Sequence, residues 1–314
     1  MEGFLPLEWA IFWSLVSLPF VIWGALKIKR IFQERPEQKL TIAVSGAFIF
    51  VLSALKLPSV AGSSSHPTGT GLSTILYGPG VTSLLCTIVL IFQALLLAHG
   101  GLTTLGANIF SMGVAGPAMA FLVYKTLQKG RASMSVSVFA AAFVANIVTY
   151  ITTAFQLALA YPSGGSVVAS FEAFFLVFAL TQVPLAIVEG LLFVLFFNFL
   201  AESKPDLIKD VVREPRPSLK GSRNTIIAGA IIMVIGMALV ANAAIGLLGT
   251  DDKGVEIIQE IDPGYEPWFN SFFEPDEGME LMLFALQALI GVAVLAYFIW
   301  YLRKKRASAG KAEG

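Results

Sequence analysis

Imidazole is the scarce chemistry in this chain: its 314 residues include two histidines, His66 and His99, and one cysteine, Cys86. His66 lies in SSSHPTGTG (63–71), a polar, glycine-rich break between long apolar runs. Imidazole nitrogen suits Co, Ni, Cu and Zn. His66 is therefore the first candidate metal ligand, against the plainer reading of a hydrogen-bonded turn residue. Its neighbours Ser65 and Thr68 are candidates for supporting it. His99 precedes Gly100-Gly101 at the end of an apolar run and reads as an interfacial cap or as part of the same path. Asn146, Thr149, Thr153 and Gln156 recur at helical spacing and make one polar stripe, and Asn108 and Ser111 begin a similar face. Such stripes often join helices by hydrogen bonds. Glu189 stands near the middle of an apolar run, beside Gly190, with no mid-run Lys or Arg to pair with it. A lone carboxylate in a membrane helix is a functional suspect. Met112 and Met119 offer soft sulfur but suit packing, and Cys86 reads as a small core hydrophobe.

The elements that must position these residues are greasy. Hydrophobic residues make up 56% of the chain and charged residues 13%, against about 25% charged in soluble domains. This excludes an ordinary soluble domain and points to an all-α integral membrane protein. The formal net charge is zero, and no nucleic-acid partner is expected. One cysteine excludes a disulfide framework and a cysteine-rich metal cluster. No basic segment precedes the first apolar run, while Glu2 and Glu8 do, so a cleaved signal is not expected. A phosphate-binding G-x-x-x-x-G-K-[ST] loop is absent, as are H-E-x-x-H and G-x-S-x-G. The chain is therefore not expected to be an enzyme or to hydrolyse nucleotide itself.

About 20 apolar residues cross the hydrocarbon as a helix. Crossings are predicted near 9–28, 39–57, 81–99, 105–125, 133–160, 168–200, 224–248 and 280–302. No alternating barrel pattern is visible. Basic residues mark the cytoplasmic side. They cluster at Lys27 to Lys39, Lys125 to Arg131, Lys204 to Arg223 and Arg303 to Arg306. The N-terminus then faces outward and the C-terminus the cytoplasm, in a multi-pass protein of the cell membrane. Parity adds a constraint. The second crossing exits outward near Leu57, yet the chain must be cytoplasmic by Lys125, and two crossings cannot achieve that. The segment 66–80, HPTGTGLSTILYGPG, is therefore predicted to be a short or discontinuous crossing. Irregular backbone at membrane depth is tolerated only where protein or a cavity surrounds it.

The expected architecture is a seven-crossing helical bundle over 1–200, a cytoplasmic linker over 201–223, a two-helix transmembrane hairpin over 224–302 and a basic tail over 303–314. The hairpin encloses an outer loop, 249–280, with ten acidic residues from Asp251 to Glu280. That loop could concentrate cations or simply be a solvated loop. Asp262, Tyr265 and Glu266 are its candidate entrance residues.

Several longer stretches carry a resemblance. MEGFLP (1–6), SLPFVIWG (17–24), GSSSHPTGTG (62–71), YGPG (77–80), FQALLLAHGGLTTLGAN (92–108) and FSMGVAGP (110–117) resemble the substrate-capture component of cobalt energy-coupling-factor (ECF) importers, CbiM. EIDPGYEPWF (260–269) and MLFALQA (282–288) resemble the small two-span companion, CbiN. Together the resemblance covers nearly the whole chain, which looks like a fusion of the two.

The resemblance implies a cobalt(II) capture subunit serving corrinoid (cobalamin) synthesis. Its expected partners are an ECF transmembrane coupling protein and ABC ATPase subunits. In the family the ligands are the terminal α-amine, the second backbone nitrogen, the imidazole of a second-position histidine and the histidine of the SHPTG segment, here His66. Four nitrogen donors in a plane suit Co(II), Ni(II) or Cu(II). The family begins Met-His-Ile-Met-Glu-Gly, whereas this sequence begins Met-Glu-Gly, with Glu2 in second position. The expectation is a start assigned three residues late; Met1 is a ligand only if the true terminus lies there. The two-span unit is expected to aid metal loading. The alternatives are a nickel(II) version of the same importer, and an ion-coupled secondary transporter with Glu189 as its proton site.

Overall fold

A computed structural model describes residues 2–54, 66–97, 99–203, 205–208 and 250–270, with scattered positions from 273 to 300. Met1, Ser65, most of the linker, the 224–248 crossing and the basic tail lie outside the described residues.

Long apolar runs become long helices. These are α1 (Leu7–Glu34), α2 (Lys39–Ala54), α4 (Pro79–Leu97), α7 (Met134–Ala160) and α8 (Val167–Ser203). The short α3 (Gly71–Tyr77) precedes α4. Between α4 and α7 a single apolar run is built in three parts: α5 (Leu105–Asn108), a π-helical stretch (Ile109–Ala115) and α6 (Gly116–Lys129). A one-turn α9 (Pro205–Ile208) follows α8. Six of these runs among the described residues are long and apolar enough to cross a membrane. They match the predicted crossings to within a few residues, except that α1 continues to Glu34, into the predicted cytoplasmic loop.

Packing follows size. The buried positions of α1 are Ala10, Trp13, Ser17, Gly24 and Ile28. Small residues there let helix axes approach closely. A Cβ on Gly24 would come within 2.1 Å of the Gly80 carbonyl, so α1 and the start of α4 meet backbone to backbone. Ser17 Oγ donates to the Gly106 carbonyl at 2.8 Å, joining α1 to α5. Large apolar side chains such as Leu15, Leu18 and Leu26 stay exposed on α1, as suits a surface facing lipid. One core cluster joins α2, α3, α6, α7 and α8 around Leu72, Tyr124, Val138 and Phe193. Another joins α1, α2, α4 and the π-helical stretch around Ile49, Val81, Cys86 and Met112, so Cys86 is a core residue as expected.

The predicted break at 66–80 is irregular over 66–69, then forms α3. His66 shares a cavity with Leu5, at the start of α1. At the far end of α3, the Tyr77 carbonyl accepts from Lys27 Nζ at 2.6 Å, and Tyr77 Oη donates to Gln38 Oε1 at 2.8 Å. Lys27 lies about 30 Å along α1 from Leu7 at 1.5 Å per residue.

The acidic loop is more ordered than its composition suggests. It opens with α10 (Thr250–Ile261). Ile258 is fully buried against Phe174 and Phe178 of α8, flanked by Ile257 and Ile261. An apolar stripe within an otherwise acidic helix gives it one face to bury.

Candidate metal centre

The site is built from a turn, a helix end and a π-helical stretch. His66 opens the irregular segment, with Nδ1 2.9 Å from the Pro67 carbonyl. A carbonyl only accepts, so Nδ1 carries the proton and the ring's lone pair resides on Nε2. Metal-binding imidazoles are commonly oriented by such a bond on their other nitrogen. Tyr150 Oη donates to the His66 carbonyl at 3.4 Å. His99 reaches the same place from the end of α4: the two imidazole centroids are 5.3 Å apart, with planes at 64°. Both histidines are buried.

A cavity of about 120 Å3 lies against both rings. Its polar wall comes from Asn108 and Ser111 around the start of the π-helical stretch, and from Thr149, Thr153 and Gln156 on α7. Leu5, Met112, Leu157 and Phe178 close the apolar side. A π-turn changes the phase of a helix and recurs at functional sites. Asn108, Ser111 and Met112, spaced i, i+3 and i+4, share one wall at its start. Most of the predicted polar stripe therefore faces the candidate site. Asn146 lines no part of the cavity and instead reaches Glu189 at 2.8 Å. Met119 is exposed and takes no part.

The other predicted residues separate into two groups. Thr68 and Glu189 meet beneath the histidine turn: Glu189 Oε1 accepts from Thr68 Oγ1 at 2.8 Å and from Gly69 N at 2.7 Å, and Oε2 accepts from Thr68 N at 2.9 Å. Glu189 lies outside the cavity lining. Asp262, Tyr265 and Glu266 lie beside the N-terminal stretch instead. Tyr265 Oη donates to the Gly3 carbonyl at 3.1 Å, while Asp262 and Glu266 are exposed. Met1 and Ser65 fall outside the described residues. No group of three or more His, Cys, Asp and Glu side chains among the described residues is arranged to hold a metal. A nitrogen site centred on His66 would need backbone or terminal donors as well.

The N-terminal stretch is fastened from two directions. Glu2 Oε2 and Oε1 accept from Leu102 N and Thr103 N, each at 2.7 Å, and Gly3 N donates to Thr103 Oγ1 at 2.9 Å. The Glu2 carboxylate thus serves as a cap on the turn after His99. From the other side, Trp268 Nε1 donates to the Leu5 carbonyl at 2.8 Å, Trp268 N approaches the Gly3 carbonyl at 3.4 Å, and Tyr161 Oη donates to the Phe4 carbonyl. Burial pushes the Tyr161 phenol well above its ordinary range, with the Tyr265 hydroxyl adding to it, and burial likewise raises Tyr265. Both stay protonated donors. Sequence reasoning missed Glu2 as a cap, and it missed Tyr150 and Trp268. Trp268 lay within a stretch already singled out, whereas an acceptor that is a backbone carbonyl leaves no mark in the sequence.

The comparisons with known proteins agree with this architecture. A family model described as the cobalt uptake substrate-specific transmembrane region, CbiM, matches residues 1–207, and one described as the cobalt transport protein component CbiN matches 221–312. A putative fused cobalt transport protein CbiMQ of Methanocorpusculum labreanum is 46% identical over 99% of this chain and 55% of its own length. The chain thus spans about half of that relative. The cobalt transport protein CbiM of Carboxydothermus hydrogenoformans is 61% identical over 64% of this chain and 82% of its own. The crystal structure of a truncated transition metal transporter shares the fold, with a TM-score of 0.53 and 22% identity, covering 64% of this chain and 99% of that one. With a model match across about two thirds of its length and relatives this similar, the chain belongs to the CbiM family and carries a CbiN-family region after it.

Proposed function

We propose that the chain is the substrate-capture subunit of an ATP-driven ECF importer that takes up cobalt(II) for corrinoid synthesis. One observation carries the reading. The single histidine of the irregular segment has its tautomer set by a carbonyl, and its ring packs edge-on against a second imidazole at the wall of a small cavity. Imidazole donors suit Co(II) and Ni(II) and disfavour Mg and Ca. Its relatives bear names as cobalt transport proteins, which favours cobalt as the cargo over nickel.

In this reading the segment 66–77 is a seventh, discontinuous crossing. The run from the Leu5 end of α1 to Lys27 supports it. The histidines then open outward, and Lys27 and Lys125 lie on the cytoplasmic side in accord with the positive-inside rule. A coupling protein and ATPase subunits supply the energy. The two-span region assists metal loading, supported by the fastening of residues 3–5 to its loop. Uptake of radioactive cobalt by cells carrying the whole transporter tests the reading: His66→Ala should reduce it to background. Uptake at the unsubstituted rate in that variant would refute it.

A further inference from the structure

We propose that Glu189 is the positioning residue of the metal centre, fixing the 66–70 segment, and through it the His66 ring, on the α7–α8 pair. The proposal rests on the reading of His66 as a cobalt ligand. Glu189 is fully buried within α8. A carboxylate offers about four acceptor positions, and four donors meet it at 2.7–2.9 Å: Thr68 N, Thr68 Oγ1, Gly69 N and Asn146 Nδ2. Three of these belong to two consecutive residues that begin two positions after His66. The fourth comes from α7, the helix whose Thr149 and Tyr150 also line the cavity.

This arrangement commits both parties. A buried carboxylate is costly unless hydrogen-bonded, and buried backbone amides need acceptors just as strictly. The irregular segment lacks helical partners for Thr68 N and Gly69 N, and Glu189 supplies them. The turn that aims both amides at one carboxylate uses Gly69 at φ +70. A Cβ there would come within 2.7 Å of the Ile49 Cα, so α2 closes the segment from the opposite side. The segment is thus held between a four-fold acceptor and a backbone wall, with its only imidazole at the cavity end. Charge-assisted hydrogen bonds of this kind are stronger than neutral ones, and ligand geometry depends on the groups behind the ligand. As a proton relay, Glu189 would have to exchange protons while all four acceptor positions are taken.

The test uses the full chain with Met-His-Ile added before Met1, with cobalt(II) as the probe, and compares Glu189→Gln with the unsubstituted protein. The amide keeps the size of the side chain but puts an NH2 in place of one oxygen, and each oxygen position faces a backbone N–H that can only donate, Gly69 N at Oε1 and Thr68 N at Oε2. In the metal-free protein, hydrogen exchange at the Thr68 and Gly69 amides should accelerate at least ten-fold. Cobalt affinity should fall at least ten-fold, and the visible absorption of residual bound cobalt(II) should shift. Thr68→Val removes one donor and should move all three readouts the same way by less. Combining the two should give less than the sum. If Glu189→Gln does not fold, Thr68→Val carries the test. Unchanged exchange at residues 68 and 69 overturns the proposal. So does uptake lost with exchange and affinity intact, the signature of a proton site. If the unsubstituted chain binds no cobalt, the cobalt reading falls and the exchange measurement still decides whether Glu189 holds the segment.

Discussion

The indole of Trp268 and the carbonyl of Leu5 are joined by a hydrogen bond of 2.8 Å, although 263 positions separate them in the chain. The bond links the loop of the CbiN-like region to the residue that closes one side of the histidine cavity. It ties the two family regions together at the place where metal is proposed to enter.

Trp268→Phe should therefore loosen the entrance without dismantling the bundle. The ring's packing is largely kept, and the Leu5 carbonyl loses its indole partner, at a cost of about 1–3 kcal/mol if no water replaces it. Hydrogen exchange of residues 2–6 should accelerate, and the initial rate of cobalt loading should fall several-fold while the amount bound at saturation is kept. Equal loading rates would remove the loop from the loading step.

Gly3→Ala should act more severely on the same contact. Gly3 sits at φ +72, and a Cβ there would approach the Phe269 carbonyl oxygen to 2.1 Å. Strain of this kind costs about 1–3 kcal/mol, and the backbone clash adds to it. Limited proteolysis within 262–270 should become faster than in Trp268→Phe. A variant as resistant as the unsubstituted chain would contradict the contact.

The phenols set the pH limit of this clamp. Tyr161 and Tyr265 are raised above the ordinary tyrosine value of 10.0, chiefly by burial. A raised folded-state pKa means the neutral donor is favoured in the fold. Its contribution is complete below the unfolded value and is lost only as pH rises past it. Protection of residues 2–6, corrected for intrinsic exchange, should be level from about pH 6 to 9 and fall above about pH 10. A loss between pH 6 and 9 would contradict the clamp.

The two histidines should be unequal. His66 is the proposed ligand, while the His99 ring packs edge-on against it. His99→Ala should weaken cobalt binding by about 10–100-fold, the usual effect of removing a supporting group. Calorimetry with cobalt(II) measures it, and affinity as high as in the unsubstituted chain would remove His99 from the site.

The crossings were legible because apolar side chains such as Leu15 and Leu26 have nowhere to go but lipid or core. Counting sides with Lys27 and Lys125 singled out 66–80, whose first residues, 66–69, are irregular before α3 begins. His66 and the Thr149, Thr153 and Gln156 stripe were legible by residue type and spacing. Glu189 stands out in the sequence but its partners do not, because no Lys or Arg among the described residues pairs with it and two of its four donors are backbone amides. The composition of 249–280 predicts a loop, and the helix Thr250–Ile261 is hidden in it because acidic residues outweigh the Ile257, Ile258 and Ile261 stripe. Asn108 and Ser111 were legible as the start of a polar face, and Met112 joins them at ordinary helical spacing.

The central claim is that His66 holds the cargo. Its most direct measurement is cobalt bound per purified chain, for the chain with Met-His-Ile added before Met1 and for its His66→Ala variant. The account predicts about one cobalt per chain in the first and background in the second. Stoichiometric cobalt retained by His66→Ala would contradict it.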